Sequence, residues 1–109
     1  MFFLAWDGTS GDKRGSIDVQ LENVKLTCHA VQCAADLRCK KFIYAGSIME
    51  YEAISYLNQD ESVPGRNYIY SVSKLAADYY GKILANELKV EYDLMQNKYG
   101  AENLNSIYN

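Results

Sequence analysis

The sequence predicts an α/β fold built on a parallel sheet, and three observations carry that prediction. Two short apolar runs, residues 1–6 and 40–47, have the length and bounding turns of buried strands. Between them, and again after the second, apolar residues recur at helical spacing over about twenty residues. A strand, a long helix and a second strand in that order form the crossover unit of a parallel sheet, here continued as βαβα.

The first strand is "MFFLAW", which stops at the turn-rich "DGTSGDKRG". From Ser16 the period changes: Ile17, Leu21, Val24, Cys28, Val31 and Ala35 lie on one face of a helix running to about Leu37. "KKFIYAGS", residues 40–47, is the second strand, closing on glycine. A polar loop containing "NQDESVPGRN" follows, broken by Pro64 and Gly65. A helix of about five turns then begins near Tyr70, with Val72, Leu75, Ala76, Tyr79, Ile83, Leu84 and Leu88 on or beside one face, and ends before Val90. Beyond Glu91 the pattern weakens and shows no confident element, and residues 93–109 are read as a degenerate or poorly structured tail.

Composition narrows the function. The chain of 109 residues is at most one domain. A net charge of −3 with no run of lysine and arginine gives no field that would draw nucleic acid. No apolar run approaches a membrane span, and "MFFLAWDG" has no basic leader, so the cytoplasm is the expected compartment. Cys28, Cys33 and Cys39 lack the spacing and the partners of a zinc site, His29 stands alone, and no metal is expected. Ten tyrosines are many for this length, and tyrosine clusters suit interfaces, where the ring is buried and the hydroxyl keeps a partner.

Parallel sheets bind ligands beyond the carboxyl ends of their strands, which points to "WDGTSG" and "AGSIMEY". The first lacks both the GxGxxG fingerprint and a GK[ST] ending. The chemically loaded stretch is "NYIYSVSKLAADYY", where Tyr70 and Lys74 are one helical turn apart. A tyrosine phenol has an ordinary pKa near 10, so a cation and a helix amino terminus beside it are what base catalysis requires. The same spacing also serves a core tyrosine with a solvated lysine; Ser47, at the end of the second strand, favours the catalytic alternative.

Together these residues resemble the extended short-chain dehydrogenase/reductase family, the NAD(P)-dependent nucleotide-sugar epimerases and dehydratases. The strand ending in serine, a loop of about two dozen residues, and YxxxK followed by "KLAAD" occur in family order, and "LENVKLT" is similar to the family's N-V-x-x-T. The resemblance covers about residues 2–92 and implies the central part of a Rossmann-like domain, lacking the first strands, their glycine-rich turn and the substrate domain. It implies that Tyr70 acts as the base on a sugar hydroxyl whose carbon gives hydride to NAD or NADP. Ser47 would hold the substrate oxygen, Lys74 would serve both the tyrosine and the nicotinamide ribose, and Asn23 would support them. Ala5 and Trp6 would border the nicotinamide.

Family dehydratases carry an acidic pair directly after the serine or threonine. Here Ile48 and Met49 occupy those places, and Glu50, on an extended segment, would point away, which leaves an epimerase or a reductase. The resemblance further implies a homo-oligomer through helices 17–37 and 70–89. The alternative is a non-catalytic remnant of the fold serving as a dimerisation or interaction module.

Overall fold

The computed structural model describes residues 1–3, 5–47, 49–57, 65–66 and 68–97. Its elements in chain order are β1 (Phe2–Phe3), a 3-10 turn (Gly11–Gly15), α1 (Ile17–Asp36), β2 (Lys41–Ser47), α2 (Met49–Leu57), α3 (Tyr68–Glu87) and β3 (Glu91–Asn97). The three strands form one parallel sheet in the order β1-β2-β3. This is the α/β architecture expected from the sequence, a partial Rossmann-like unit.

The helix limits follow from local chemistry. The Ser16 hydroxyl accepts the Val19 N–H at 3.3 Å and caps the amino end of α1. Both long helices stop at a residue in the left-handed region, Arg38 at φ 59° and Lys89 at φ 61°. There the N–H groups of Cys39 and Val90 turn back to the carbonyls of Ala34 and Ala85.

α1 and α3 pack against each other and over the face of β2 that carries Phe42 and Tyr44, both buried. Those two side chains join Val24, Val31, Ala34, Ala77, Ala85 and Val90 in the core. Rings stack across all three strands: Phe3 on Phe42, Phe42 on Tyr92 and Tyr92 on Tyr44, with centroids 5.9, 5.9 and 6.3 Å apart. Gly81 lets α3 approach closely; a Cβ there would meet Tyr92 at 3.3 Å and Thr27 at 3.4 Å.

Two expectations are corrected. The segment after β2, read as loop from its start, opens with the helix α2; Met49, Ala53 and Leu57 have the i, i+4, i+8 spacing of such a helix. Residues 93–97, read as the start of a degenerate tail, belong with Glu91 and Tyr92 to β3, paired along its whole length with β2. The charge at Asp93 is tolerated because the side chain is exposed and 3.0 Å from Lys41 of the neighbouring strand. Residues 98–109, the rest of the expected tail, lie outside the described residues.

The structure also defines which helix faces are buried. Ile17 and Leu21 are exposed, while Gln20, Asn23 and Thr27 are buried beside Val24 and Val31. On α3, Val72, Tyr79 and Ile83 face outward, and the inner face is Tyr70, Ser73, Lys74, Ala77, Asp78, Gly81 and Ala85. Inward polar residues find partners there: Gln20 and Asn23 bond the loop after β1, Lys74 the Ala45 carbonyl and Asp78 the Tyr92 hydroxyl, and a large apolar stripe is left outside.

Candidate active site

The inner face of α3 presents Tyr70, Lys74 and Asp78 at steps of four, each only 7% exposed. Trp6, on the loop after β1, is the hub that joins the first two. The Lys74 ammonium lies over its indole, 4.3 Å from the ring centroid, and the Tyr70 ring meets it edge-on at 6.2 Å. The Tyr70 ring is also covered by the Arg14 guanidinium at 4.1 Å. Its hydroxyl makes no hydrogen bond among the described residues. Lys74 Nζ donates to the Ala45 carbonyl at 2.9 Å, and burial lowers its pKa from 10.5 to about 8. Tyr44 supports the same turn from beneath, its hydroxyl donating to the Lys74 carbonyl.

The loop carrying Trp6 is fixed by the buried polar stripe of α1. Trp6 Nε1 donates to Gln20 Oε1 at 2.9 Å, and Gln20 Nε2 donates to the carbonyls of Gly8 and Lys13. Gly8, at φ 73°, turns the chain tightly enough that a Cβ would lie 2.8 Å from Gln20 Nε2. Asn23 holds Asp7 by both backbone groups, accepting its N–H at 3.0 Å and donating to its carbonyl at 2.8 Å. Each buried amide is thereby satisfied, and the loop is held to α1.

Ser47 ends β2, where its hydroxyl accepts the Met49 N–H at 3.1 Å and its own N–H donates to Glu50 Oε2 at 2.9 Å. Glu50 is not on an extended segment, as expected, but one residue into α2, which turns its carboxyl back beneath Gly46. At 2% exposure it is closed to a substrate in this arrangement. It lies instead with Lys74, Asp78 and the Tyr92 hydroxyl, which donates to Asp78 Oδ1 at 2.7 Å.

Of the residues singled out from the sequence, Trp6, Tyr70 and Lys74 form one cluster. Asn23 joins it through Gln20 and Asp7. Ser47 makes no hydrogen bond to Tyr70 or Lys74 among the described residues; its link to Lys74 runs through the β2 backbone and Glu50. Ala5 is exposed on the loop, and Ile48 lies outside the described residues. Gln20 and Asp78 were not anticipated, and Glu50 was weighed and set aside as pointing away. The i, i+3, i+7 run of Gln20, Asn23 and Thr27 and the i+4 step from Lys74 to Asp78 carried a signal. Among the described residues no group of histidine, cysteine and carboxylates could hold a metal, and no helix is long and apolar enough to cross a membrane.

The chain is thus a partial Rossmann-like unit with a parallel sheet, and Tyr70 and Lys74 stand one turn apart on α3. The model of the NAD dependent epimerase/dehydratase family matches residues 5–105, and the chain belongs to that family. No curated protein and no solved structure matches it.

Proposed function

We propose that the chain carries the catalytic side chains of an NAD(P)-dependent epimerase or reductase acting on a sugar hydroxyl or ketone of a nucleotide sugar. The observation that supports this most is the grouping of Tyr70 and Lys74 around Trp6 on the inner face of α3. Lys74 spends one of its three N–H donors on Ala45, and the Tyr70 hydroxyl has no partner among the described residues; both therefore suit a ribose and a substrate oxygen. NAD(P), when bound, supplies the hydride acceptor. Tyr70 takes or returns the proton of the substrate hydroxyl, and the Lys74 ammonium favours negative charge on an oxygen placed beside it. Ser47 at the end of β2 orients the substrate oxygen, and Asn23, through Asp7, keeps Ala5 and Trp6 in place along the nicotinamide side.

Trp6 is the chain's sole tryptophan, so its fluorescence reports on the site. Titration with NAD and with NADP is expected to give saturable quenching that weakens in Lys74→Ala and Tyr70→Phe. A folded sample with no response at millimolar cofactor would overturn the enzyme reading and favour the interaction module.

A homodimer through α1 and α3 is proposed on a separate observation, the outward apolar stripe. Ile17, Leu21, Ile69 and Val72 line one shallow hollow, and Tyr79 and Ile83 continue along α3, with Ile83 58% exposed. A patch of this kind marks an interface more often than a solvated surface. The expected mass by light scattering is that of a dimer, and Val72→Glu with Ile83→Glu is expected to give a folded monomer. A monomeric parent chain would refute the proposal.

A further inference from the structure

Glu50 has no part in the chemistry above, yet its carboxyl is buried at the end of β2, against the serine that the proposed reaction uses. Two hydrogen bonds tie the pair to the start of α2. Glu50 Oε2 accepts the Ser47 N–H at 2.9 Å, and the Ser47 hydroxyl accepts the Met49 N–H at 3.1 Å. A serine and a glutamate three residues apart, each satisfying a backbone N–H at the start of a helix, form a capping box. The space for it comes from Gly46, where a Cβ would lie 2.6 Å from Glu50 Oε2.

This cap differs from an ordinary helix start in the residue it holds. A serine hydroxyl has one proton and two lone pairs. The Met49 N–H takes one lone pair and so keeps Oγ in a single staggered position over the first turn of α2. The Ser47 proton finds no acceptor among the described residues, and the side chain is only half-buried, so that proton is free for an incoming oxygen. A hydroxyl ordered before the substrate arrives spares the ordering cost at the moment of binding and reaction.

We propose that Glu50 is a positioning residue for Ser47: by holding the serine N–H in a reciprocal cap it fixes the Ser47 hydroxyl, its proton uncommitted, for the substrate oxygen. That the oxygen belongs to a substrate rests on the catalytic reading of Ser47; the cap itself does not. The cap needs an acceptor and not a charge. Burial raises the Glu50 pKa from 4.5 to about 8, and a protonated carboxyl still offers a carbonyl oxygen, as an amide does. Glutamine in this place keeps the bond to Ser47, whereas methionine keeps the length of the side chain and loses the acceptor.

The kinetic test pairs those two variants. Turnover of a nucleotide sugar with NAD(P) is expected to fall about 10-fold in Glu50→Met, chiefly in kcat, and to be recovered in Glu50→Gln. In the Ser47→Ala background, Glu50→Met is expected to cost nothing further, because its effect passes through the serine hydroxyl. An equal loss with and without that hydroxyl, or no recovery in Glu50→Gln, overturns the proposal. The second readout needs neither cofactor nor substrate: three-bond couplings that report the Ser47 rotamer. One rotamer is expected in the parent chain and in Glu50→Gln, and averaging among rotamers in Glu50→Met. Should Glu50→Met not fold, the parent chain decides: a single rotamer with a slowly exchanging Ser47 amide supports the proposal, and averaging overturns it. A parent chain without turnover counts against the enzyme reading alone, and the couplings then decide the cap by themselves.

Discussion

Gly46→Ala is expected to lower the stability of the chain by about 3 kcal/mol, measured by urea unfolding followed through Trp6 emission and far-UV circular dichroism. A Cβ at this position of β2 would lie 2.6 Å from Glu50 Oε2 and 2.6 Å from Leu94 Cδ1. The two neighbours differ in what they can give up. Leu94 is 39% exposed and can rotate outward at small cost. Glu50 has nowhere to go: it is buried, accepts the Ser47 N–H, and moving it strips a hydrogen bond from a group closed to water. The cost therefore comes chiefly from the carboxyl, and a control separates the contributions. In the Leu94→Ala background the leucine clash is gone, and Gly46→Ala should still cost most of the 3 kcal/mol; a penalty that vanishes there would place the strain on Leu94 instead. The glycine at this point in the strand thus reflects a close approach of a side chain, not a need for an unusual backbone angle.

Much of this fold was legible in the sequence because its signals are local. α1 runs from Ile17 to Asp36 where Ser16 caps it, and β2 is Lys41–Ser47, as the change of period required. The helix faces were legible as a pattern, not as inside and outside. An amphipathic pattern identifies two faces but not which of them packs inside, and here Gln20, Asn23 and Thr27 turn inward: Gln20 and Asn23 satisfy the backbone of the loop after β1, and Thr27 bonds the Asn23 carbonyl. The exposed stripe of Ile17, Leu21, Val72 and Ile83 is what remains. β3 was hidden by Asp93, whose charge makes sense only once Lys41 stands beside it in the sheet.

The site divides in the same way. Ser47, Tyr70 and Lys74 belong to a spacing that can be read in one dimension, whereas Trp6 meeting Lys74 and Glu50 meeting Asp78 depend on segments far apart in the chain. No periodicity in "SIMEYEA" distinguishes Glu50 from any solvated helix glutamate. What distinguishes it is that α2 begins immediately after β2, so its first turn folds back over the strand end that carries Ser47.

On the proposed catalytic reading, Tyr70→Phe is expected to reduce turnover of a nucleotide sugar with NAD(P) by about 10³-fold while leaving the fold intact. The ring packs edge-on against Trp6 and beneath Arg14, and phenylalanine keeps both of those contacts. The hydroxyl has no hydrogen bond to lose among the described residues, so its removal should shift the unfolding midpoint little. A side chain that contributes to catalysis and not to stability is what a proton-transfer group should be. Lys74→Met provides the contrast. It removes a buried ammonium bound to Ala45 and set against the Glu50 and Asp78 carboxyls, so turnover and stability should both change. The Glu50 carboxyl is then left buried without that cation. If Tyr70→Phe retained full turnover, the proton would have to move through another group, and the catalytic reading of the inner face of α3 would be wrong. If it unfolded the chain, Tyr70 would be a core residue first, and the spacing to Lys74 a consequence of helix packing alone.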